Sequence, residues 1–264
     1  MIVLLTDFGL EGPYTGQVNA VLHQQAPGVP VVNLFPDLPP FDIQAAAYLL
    51  PAYTGRLAPG TVCLCVVDPG VGGSRPGCVL NAGGRWYVGP DEGLFTLIAR
   101  QGAVQSCHRL PEVTWAAPSF HGRDVFAPAA AWLARHGRMK DNWEAAEPAP
   151  RDDWPDDLPR VLYIDRFGNA ITGLRAGAVA AEAVLHVNGH DLRRAPTFSA
   201  VDAGQAIWYE NSNGLVELAV NRGRADTVLG AQVGTPVVLQ SVQVGLGRRP
   251  LSDSRCRICV GLRC

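Results

Sequence analysis

The stretch TVCLCVVDPGVGGSR, from Thr61 to Arg75, constrains the fold of this chain more than any other. Thr61 to Val67 is short, apolar and rich in β-branched residues, which predicts a buried strand. Asp68 follows directly, then Pro69 and the glycines at 70, 72 and 73, which stop the strand and make a tight loop. In open α/β sheets, ligands sit at the carboxyl ends of strands. A carboxylate at such an end, with Arg75 nearby, can form a charged pair facing a cleft. Equally, Asp68 can cap its own backbone in an ordinary turn.

The same pattern opens the chain, where Ile2 to Leu5 is an apolar strand stopped by Thr6-Asp7-Phe8-Gly9. Val18, Val21 and Leu22 give Tyr14 to Gln25 the spacing of a helix packed on a sheet. Val29 to Phe35 returns as a strand, and Phe41 to Leu50 as a helix with Asp42 at its N-cap. Gly77 to Val88 reads as a hairpin turning at Ala82-Gly83-Gly84. Leu94 to Arg100 and the Ala-rich Val125 to His136, with Pro128 near its start, read as helices. This alternation predicts an α/β fold with a mostly parallel sheet covered on both faces.

From Asn142 to Pro159 the chain turns acidic and Pro-rich, a linker signature. Short strands then recur at 160–164, 183–187, 206–210, 216–220 and 236–240, with no long helix between them. They predict a smaller all-β unit, barrel or sandwich. The expected organisation is an α/β sandwich domain over residues 1–150, a β-barrel domain over 159–243, and a disordered tail over 244–264.

Hydrophobic residues make up 47% of the chain, enough for substantial cores, and a formal net charge of −2 supplies no basic field for nucleic acid. No apolar run approaches a membrane span, and MIVLL lacks the basic flank of a signal peptide. The expectation is a soluble cytoplasmic protein without nucleic-acid or membrane partners. Seven cysteines without a secretory signal argue against a disulfide framework. Cys63, Cys65 and Cys78 read as small buried hydrophobes. Cys256 and Cys259, with Cys264, fall short of a four-ligand zinc set and read as unstructured tail.

His121 stands in a glycine-punctuated loop, Phe120-His121-Gly122-Arg123-Asp124, just ahead of a helix, where a catalytic and a plain structural role both fit. Asp165-Arg166-Phe167-Gly168-Asn169 follows a strand and reads most simply as a turn built from Asp, Gly and Asn. Asn211-Ser212-Asn213-Gly214 reads as a hairpin loop. The glycines after Asp68 lack the dinucleotide spacing, no histidine grouping marks a metal site, and no G-x-S-x-G marks a nucleophile elbow.

Taken together, TDFG at Thr6, PPFDI at Pro39, VDPGVG at Val67 with Arg75, PDEGL at Pro90, FHGRDVFAP at Phe120, IDRFGN at Ile164 and NSNGLVELAVN at Asn211 resemble one family. It is that of the S-adenosylmethionine (SAM) hydrolases, or SAM hydroxide adenosyltransferases, relatives of the SAM-dependent fluorinase and chlorinase. The resemblance runs in order over residues 1 to 243. It implies an N-terminal α/β domain, a C-terminal β-barrel, and a homotrimer with each site between two subunits. It also implies that water or hydroxide displaces L-methionine from C5′ of SAM, giving adenosine.

In that family an Asp, an Arg and a His act on the water, and they map onto Asp68, Arg75 and His121. Asp7 matches the acid on the ribose diol, Phe41 the aromatic beside the ribose, and Tyr14 joins the substrate-binding set. Asp165 matches the acid facing the methionine ammonium, Phe167 and Asn169 the adenine side, and Ser212 and Asn213 the loop that receives the methionine carboxylate. The halogenating relatives lack the VDPGVG and FHG patterns, which favours hydrolysis over halide transfer. One departure is Gly173 after Thr172, where the family commonly has Thr-Asn.

The chemistry is simple to state. Attack of hydroxide on a sulfonium carbon annihilates charge, and alignment of nucleophile, C5′ and sulfur supplies several kcal/mol. Methionine leaves as a neutral thioether, so no metal or other cofactor is expected. Arg75 stays protonated and orients the water, Asp68 fixes Arg75 and accepts from the water, and His121 takes or relays the proton. A halide transferase and a non-catalytic SAM- or adenosine-binding module are the competing readings.

Overall fold

The structure, a computed structural model, describes residues 1–240. The expected tail at 244–264, with its C-x-x-C, lies outside the described residues, as does the end of the expected second domain.

The first part of the chain builds one seven-stranded sheet. Its strands are β1 (Ile2–Thr6), β2 (Val31–Phe35), β3 (Val62–Val66), β4 (Gly77–Ala82), β5 (Arg85–Pro90), β6 (Val104–Arg109) and β7 (Glu144–Ala145). They lie in the order β2-β1-β3-β5-β4-β6-β7. Helices α1 (Tyr14–Gln25), α2 (Ile43–Thr54), α3 (Thr96–Gln101) and α4 (Ala127–His136) cover it.

Strand alternation decides which helix covers which face. Ile2 and Leu4 of β1, with Val62 and Leu64 of β3, pack against Val18 and Leu22 of α1 and the alanines of α4. Val3 and Leu5, with Cys63 and Cys65, point the other way, against α2 and α3. The buried thiols therefore behave as core residues, and burial drives Cys63 up to about 12. Asp42 caps α2 as expected, its Oδ1 accepting from Ala45 N–H at 2.8 Å.

The sheet is not mostly parallel. β1 pairs parallel with β2 and β3, and β3 with β5, but the pairings around β4 and β6 are antiparallel. The tight Gly83-Gly84 turn makes β4 and β5 a hairpin, and a hairpin is antiparallel by construction. What matters for the site is the reversal at β1. The chain moves outward to β2 and then returns to place β3 on the other side of β1, so the carboxyl ends of β1 and β3 flank a topological switch point.

The second part adds β8 (Leu158–Ile164), β9 (Ala170–Arg175), β10 (Val184–Val187), β11 (His190–Leu192), β12 (Ala206–Glu210), β13 (Leu215–Val220), the short helix α5 (Ala225–Val228) and β14 (Val238–Gln240). Among the described residues these form two open sheets, β12-β13-β9-β8 and β11-β10-β14, rather than the closed barrel expected. Isolated bridges at Arg160–Pro236 and Arg194–Trp208 are extra pairings outside the named ladders. Trp208, fully buried, anchors this core and donates from Nε1 to Ala183 O at 3.1 Å. Gly173 has a packing reason. A Cβ there would stand 2.7 Å from Leu158 Cβ, on the strand it pairs with.

The two parts share core. Leu162, Ile171 and Leu215 pack into the α2 side of the first sheet, and Tyr163 Oη donates to Asp37 Oδ2 at 2.8 Å. No helix among the described residues is long and apolar enough to cross a membrane.

Candidate active site

Strands β1 and β3 end side by side, and each delivers an acid. Asp7 N–H donates to Val66 O at 3.2 Å, so Asp7 and Asp68 emerge at neighbouring positions. Burial pushes the Asp7 carboxyl above its ordinary range, and nearby Asp68 adds to the rise, against the lowering effect of an N–H donated by Phe41 at 3.0 Å. Phe41 itself has φ +62° and is 75% exposed. A bulky residue in the left-handed region carries strain, and such strain gathers at ligand sites. Here the strained residue ties its N–H to the Asp7 carboxylate and lines the same pocket.

The loop after Asp68 turns Arg75 back onto the strand end. Arg75 Nε donates to Asp68 Oδ1 at 2.8 Å, and its Nη2 donates both to Asp68 Oδ2 and, at 2.9 Å, to His121 Nδ1. Both side chains of the ion pair are 6% exposed, so this is a buried, bidentate pair and not a solvated one. The backbone cap that Asp68 could have made is displaced by the guanidinium. Gly72, at φ +80°, lets the loop pass close to the segment bearing His121, since a Cβ there would meet Pro118 O at 2.8 Å. The Phe126 ring lies 5.2 Å below the Arg75 guanidinium.

His121 opens a π-helical turn, Gly122–Phe126, that runs into α4. π-Turns of this kind concentrate at functional sites. Asp124 braces it from below, accepting from Ala117 N–H at 2.9 Å and from both Nε and Nη2 of Arg123. Burial, then the Arg75 charge, hold the His121 imidazole below its ordinary value, so the ring is neutral at neutral pH. A guanidinium can only donate. His121 Nδ1 is therefore an acceptor, and the neutral ring carries its proton on Nε2. His121 is expected to take or relay the proton; in this geometry the nitrogen with a free pair is engaged by Arg75.

A pocket of about 300 Å³ is lined by Asp7, Tyr14, Phe41, Asp68 and His121. Tyr14, Phe8 and Phe120 form its aromatic wall, with ring centroids 5.4 to 6.0 Å apart. Arg75 lies behind this pocket and lines a second cavity of about 520 Å³, which shares His121 with the first.

The remaining expected residues lie elsewhere in the chain. Asp165, Phe167, Asn169, Ser212 and Asn213 line a separate pocket of about 900 Å³ that shares no residue with the 300 Å³ pocket. Asp165 does what a turn requires. Its Oδ1 accepts from Phe167 and Asn169 N–H at 2.9 Å, and its Oδ2 from Asn169 Nδ2 at 3.0 Å. Phe167 is 73% exposed. Sequence reasoning missed Tyr53, Tyr163, Tyr209 and Glu217, which line the same pocket. Of these, Glu217 left a legible signal, an acid inside the apolar run LVELAV.

Against this geometry the comparisons with known proteins are consistent. Residues 2–142 match the model of the SAM hydroxide adenosyltransferase N-terminal domain, and residues 159–238 that of its C-terminal domain. The chain is 42% identical over 257 residues to the (R)-S-adenosyl-L-methionine hydrolase of Thermus thermophilus, covering 90% of this chain and 98% of that one. It is 35% identical to the enzyme of the same name from Salinispora tropica, covering 88% and 95%. Among solved structures it resembles an uncharacterized conserved protein from Thermotoga maritima, with a TM-score of 0.81 and 27% identity over 90% of this chain and 99% of that one. A conserved hypothetical protein from Thermus thermophilus gives 0.72 at 41% identity, with the same coverage. Two adjoining family models, and a relative this similar over nearly its whole length, lead to one statement: the chain belongs to the SAM hydroxide adenosyltransferase family.

Proposed function

We propose that this chain hydrolyses S-adenosyl-L-methionine to adenosine and L-methionine by attack of water at C5′. The observation that carries the reading is the hydrogen-bonded chain Asp68–Arg75–His121 at the switch point, facing a pocket with a free-standing aromatic ring and an acid suited to a ribose diol. The names of the relatives specify the R configuration at sulfur, and the same epimer is the substrate proposed here.

Asp68 lines the front pocket and keeps lone pairs beyond those spent on Arg75, so it accepts a hydrogen bond from the water and fixes its direction. His121 offers Nε2–H to the water oxygen, leaving the other lone pair for C5′. As the C–O bond forms, the C–S bond breaks and its electron pair leaves with methionine as a neutral thioether. The oxygen, now bearing an extra proton, is strongly acidic, so the Asp68 carboxylate suffices to take it. No metal enters this scheme, because the leaving group is already activated as a sulfonium.

The assembly belongs to the same proposal. The ribose-side residues Asp7, Tyr14 and Phe41 and the set Asp165, Phe167, Asn169, Ser212 and Asn213 occupy different pockets of one chain. Juxtaposing the two in a homotrimer, front pocket of one copy against the second pocket of the next, gives a single closed site. The exposed rings of Phe41 and Phe167 support this. A division into units at 1–150 and 159–243 is supported by the sheet pairings, which fall on either side of that boundary. A cytoplasmic location completes the reading.

The test is incubation with each sulfur epimer of SAM in chloride- and fluoride-containing buffer, with products identified by mass. Adenosine and methionine from the R epimer are expected. A 5′-halo-5′-deoxyadenosine, or tight binding with SAM unchanged after hours, would contradict hydrolysis.

A further inference from the structure

Glu217 sits in the middle of β13, directly opposite Tyr209 of β12, and is 5% exposed. A leucine or valine would fill such a position without the cost of burying a charge. Burial raises the Glu217 carboxyl above its ordinary range, and the like charge of Asp165 adds to this. Among the described residues no cation lies within ion-pair distance of it. Of the arginines lining the same pocket, Arg224 is committed to Asp226 at 2.7 Å.

Its two oxygens are spent on two neighbours. Oε1 accepts from the Tyr209 hydroxyl, and Oε2 accepts from Asn211 Nδ2 at 3.0 Å. A side-chain amide is nearly symmetric in shape, so something must decide which end is nitrogen. A carboxylate, which only accepts, forces the nitrogen toward itself. Asn211 Oδ1 is thereby turned into the loop, where it accepts from Asn213 N–H and Leu215 N–H, each at 3.0 Å. With those N–H groups occupied, and the Asn213 side-chain amide donating to the Tyr53 hydroxyl, the donors the loop retains for a ligand are Ser212 N–H and the Ser212 hydroxyl. That set of donors suits a carboxylate.

We propose that Glu217 is a positioning residue: through the Asn211 amide it fixes the 211–215 loop, and so sets the preference for a sulfonium ligand that carries an α-carboxylate. This rests on the hydrolysis proposed above. The chain from Glu217 to the loop is made entirely of direct hydrogen bonds, and it explains why a buried acid is kept in an apolar strand.

The test compares SAM with its decarboxylated analogue, the adenosyl sulfonium of methylthiopropylamine, on wild type, Glu217→Leu and Glu217→Gln. Glu217→Leu is expected to lower the ratio of kcat/KM for SAM to that for the analogue by about tenfold, the scale of one lost buried hydrogen bond, through KM for SAM. Glutamine keeps an acceptor for Asn211 Nδ2 and can donate to the Tyr209 hydroxyl, so it restores the ratio. Should the leucine variant not fold, Asn211→Asp keeps the loop acceptors but sets a like charge against Glu217, and the same fall is expected. An unchanged ratio in the folded variants, or equal losses for both substrates that glutamine does not restore, would overturn the proposal. If wild type turns over neither compound, hydrolysis itself fails and this inference with it. If wild type turns over both while the ratio stays put, only the role of Glu217 fails.

Discussion

Replacing Arg75 with methionine is expected to lower kcat by about 10²-fold, the scale of misplacing the groups that position a reacting water. Methionine keeps an unbranched side chain but removes the guanidinium over Phe126 and with it every donor. Asp68 then loses both of its guanidinium bonds while remaining almost fully buried, and His121 Nδ1 loses its only donor partner among the described residues. Stripping one partner from a buried pair costs about 3–5 kcal/mol, so a fall in stability should accompany the loss of rate. Arg75→Lys should not rescue either effect. An ammonium is a point charge and cannot serve two carboxylate oxygens and an imidazole in one plane. Thermal melts and steady-state kinetics on both variants check this, and near-native turnover in Arg75→Met would remove the guanidinium from the mechanism.

His121 divides two mechanisms. If its Nε2–H holds the water, His121→Ala should cost about 10²-fold in kcat, and His121→Gln should recover most of that, because the glutamine amide nitrogen can stand where Nε2 stood. If His121 is a general base, alanine and glutamine should be equally poor. The pH profile adds a second readout. The wild-type imidazole titrates below its ordinary 6.5 because of burial and Arg75, so the neutral, active form is fully present above that pH. It is lost as pH falls through the depressed value, when a proton on Nδ1 meets the Arg75 guanidinium. kcat/KM should therefore drop on the acid side in wild type, and that limb should be absent from His121→Gln.

Much of the first sheet could be read from the sequence because its strands are apolar runs stopped by Asp and Gly, and because Asp42 is a strong N-cap. β6, VQSCHR, escaped notice since a half-exposed strand with four polar side chains has no apolar run. β9, AITGLR, lay in the shadow of the Phe167-Gly168-Asn169 turn, and its Gly173 reads locally as a breaker until the close approach of Leu158 is seen. The parallel bias was overestimated for a related reason. Local strand patterns reveal direction only where a tight turn joins neighbours, and the β4–β5 hairpin sets the polarity of the strands beyond it.

The site was legible in part. Asp68 and Arg75 could be paired from spacing, but the contact of Arg75 with His121 spans 46 positions of chain, and only folding brings it about. The turn reading of Asp165 was correct for its hydrogen bonds. Its place in a pocket with Tyr53 and Glu217, from distant strands and a helix, carried no local signal. Phe41 looked like an ordinary helix-start residue, and its left-handed backbone shows only once Asp7 is seen holding its N–H.

The most direct measurement is turnover of SAM in heavy-oxygen water, followed by mass analysis of both products. Attack at C5′ places the heavy oxygen in the 5′-hydroxyl of adenosine and none in methionine. Label in methionine, or release of free adenine with the heavy oxygen on C1′ of the ribose, would contradict the account.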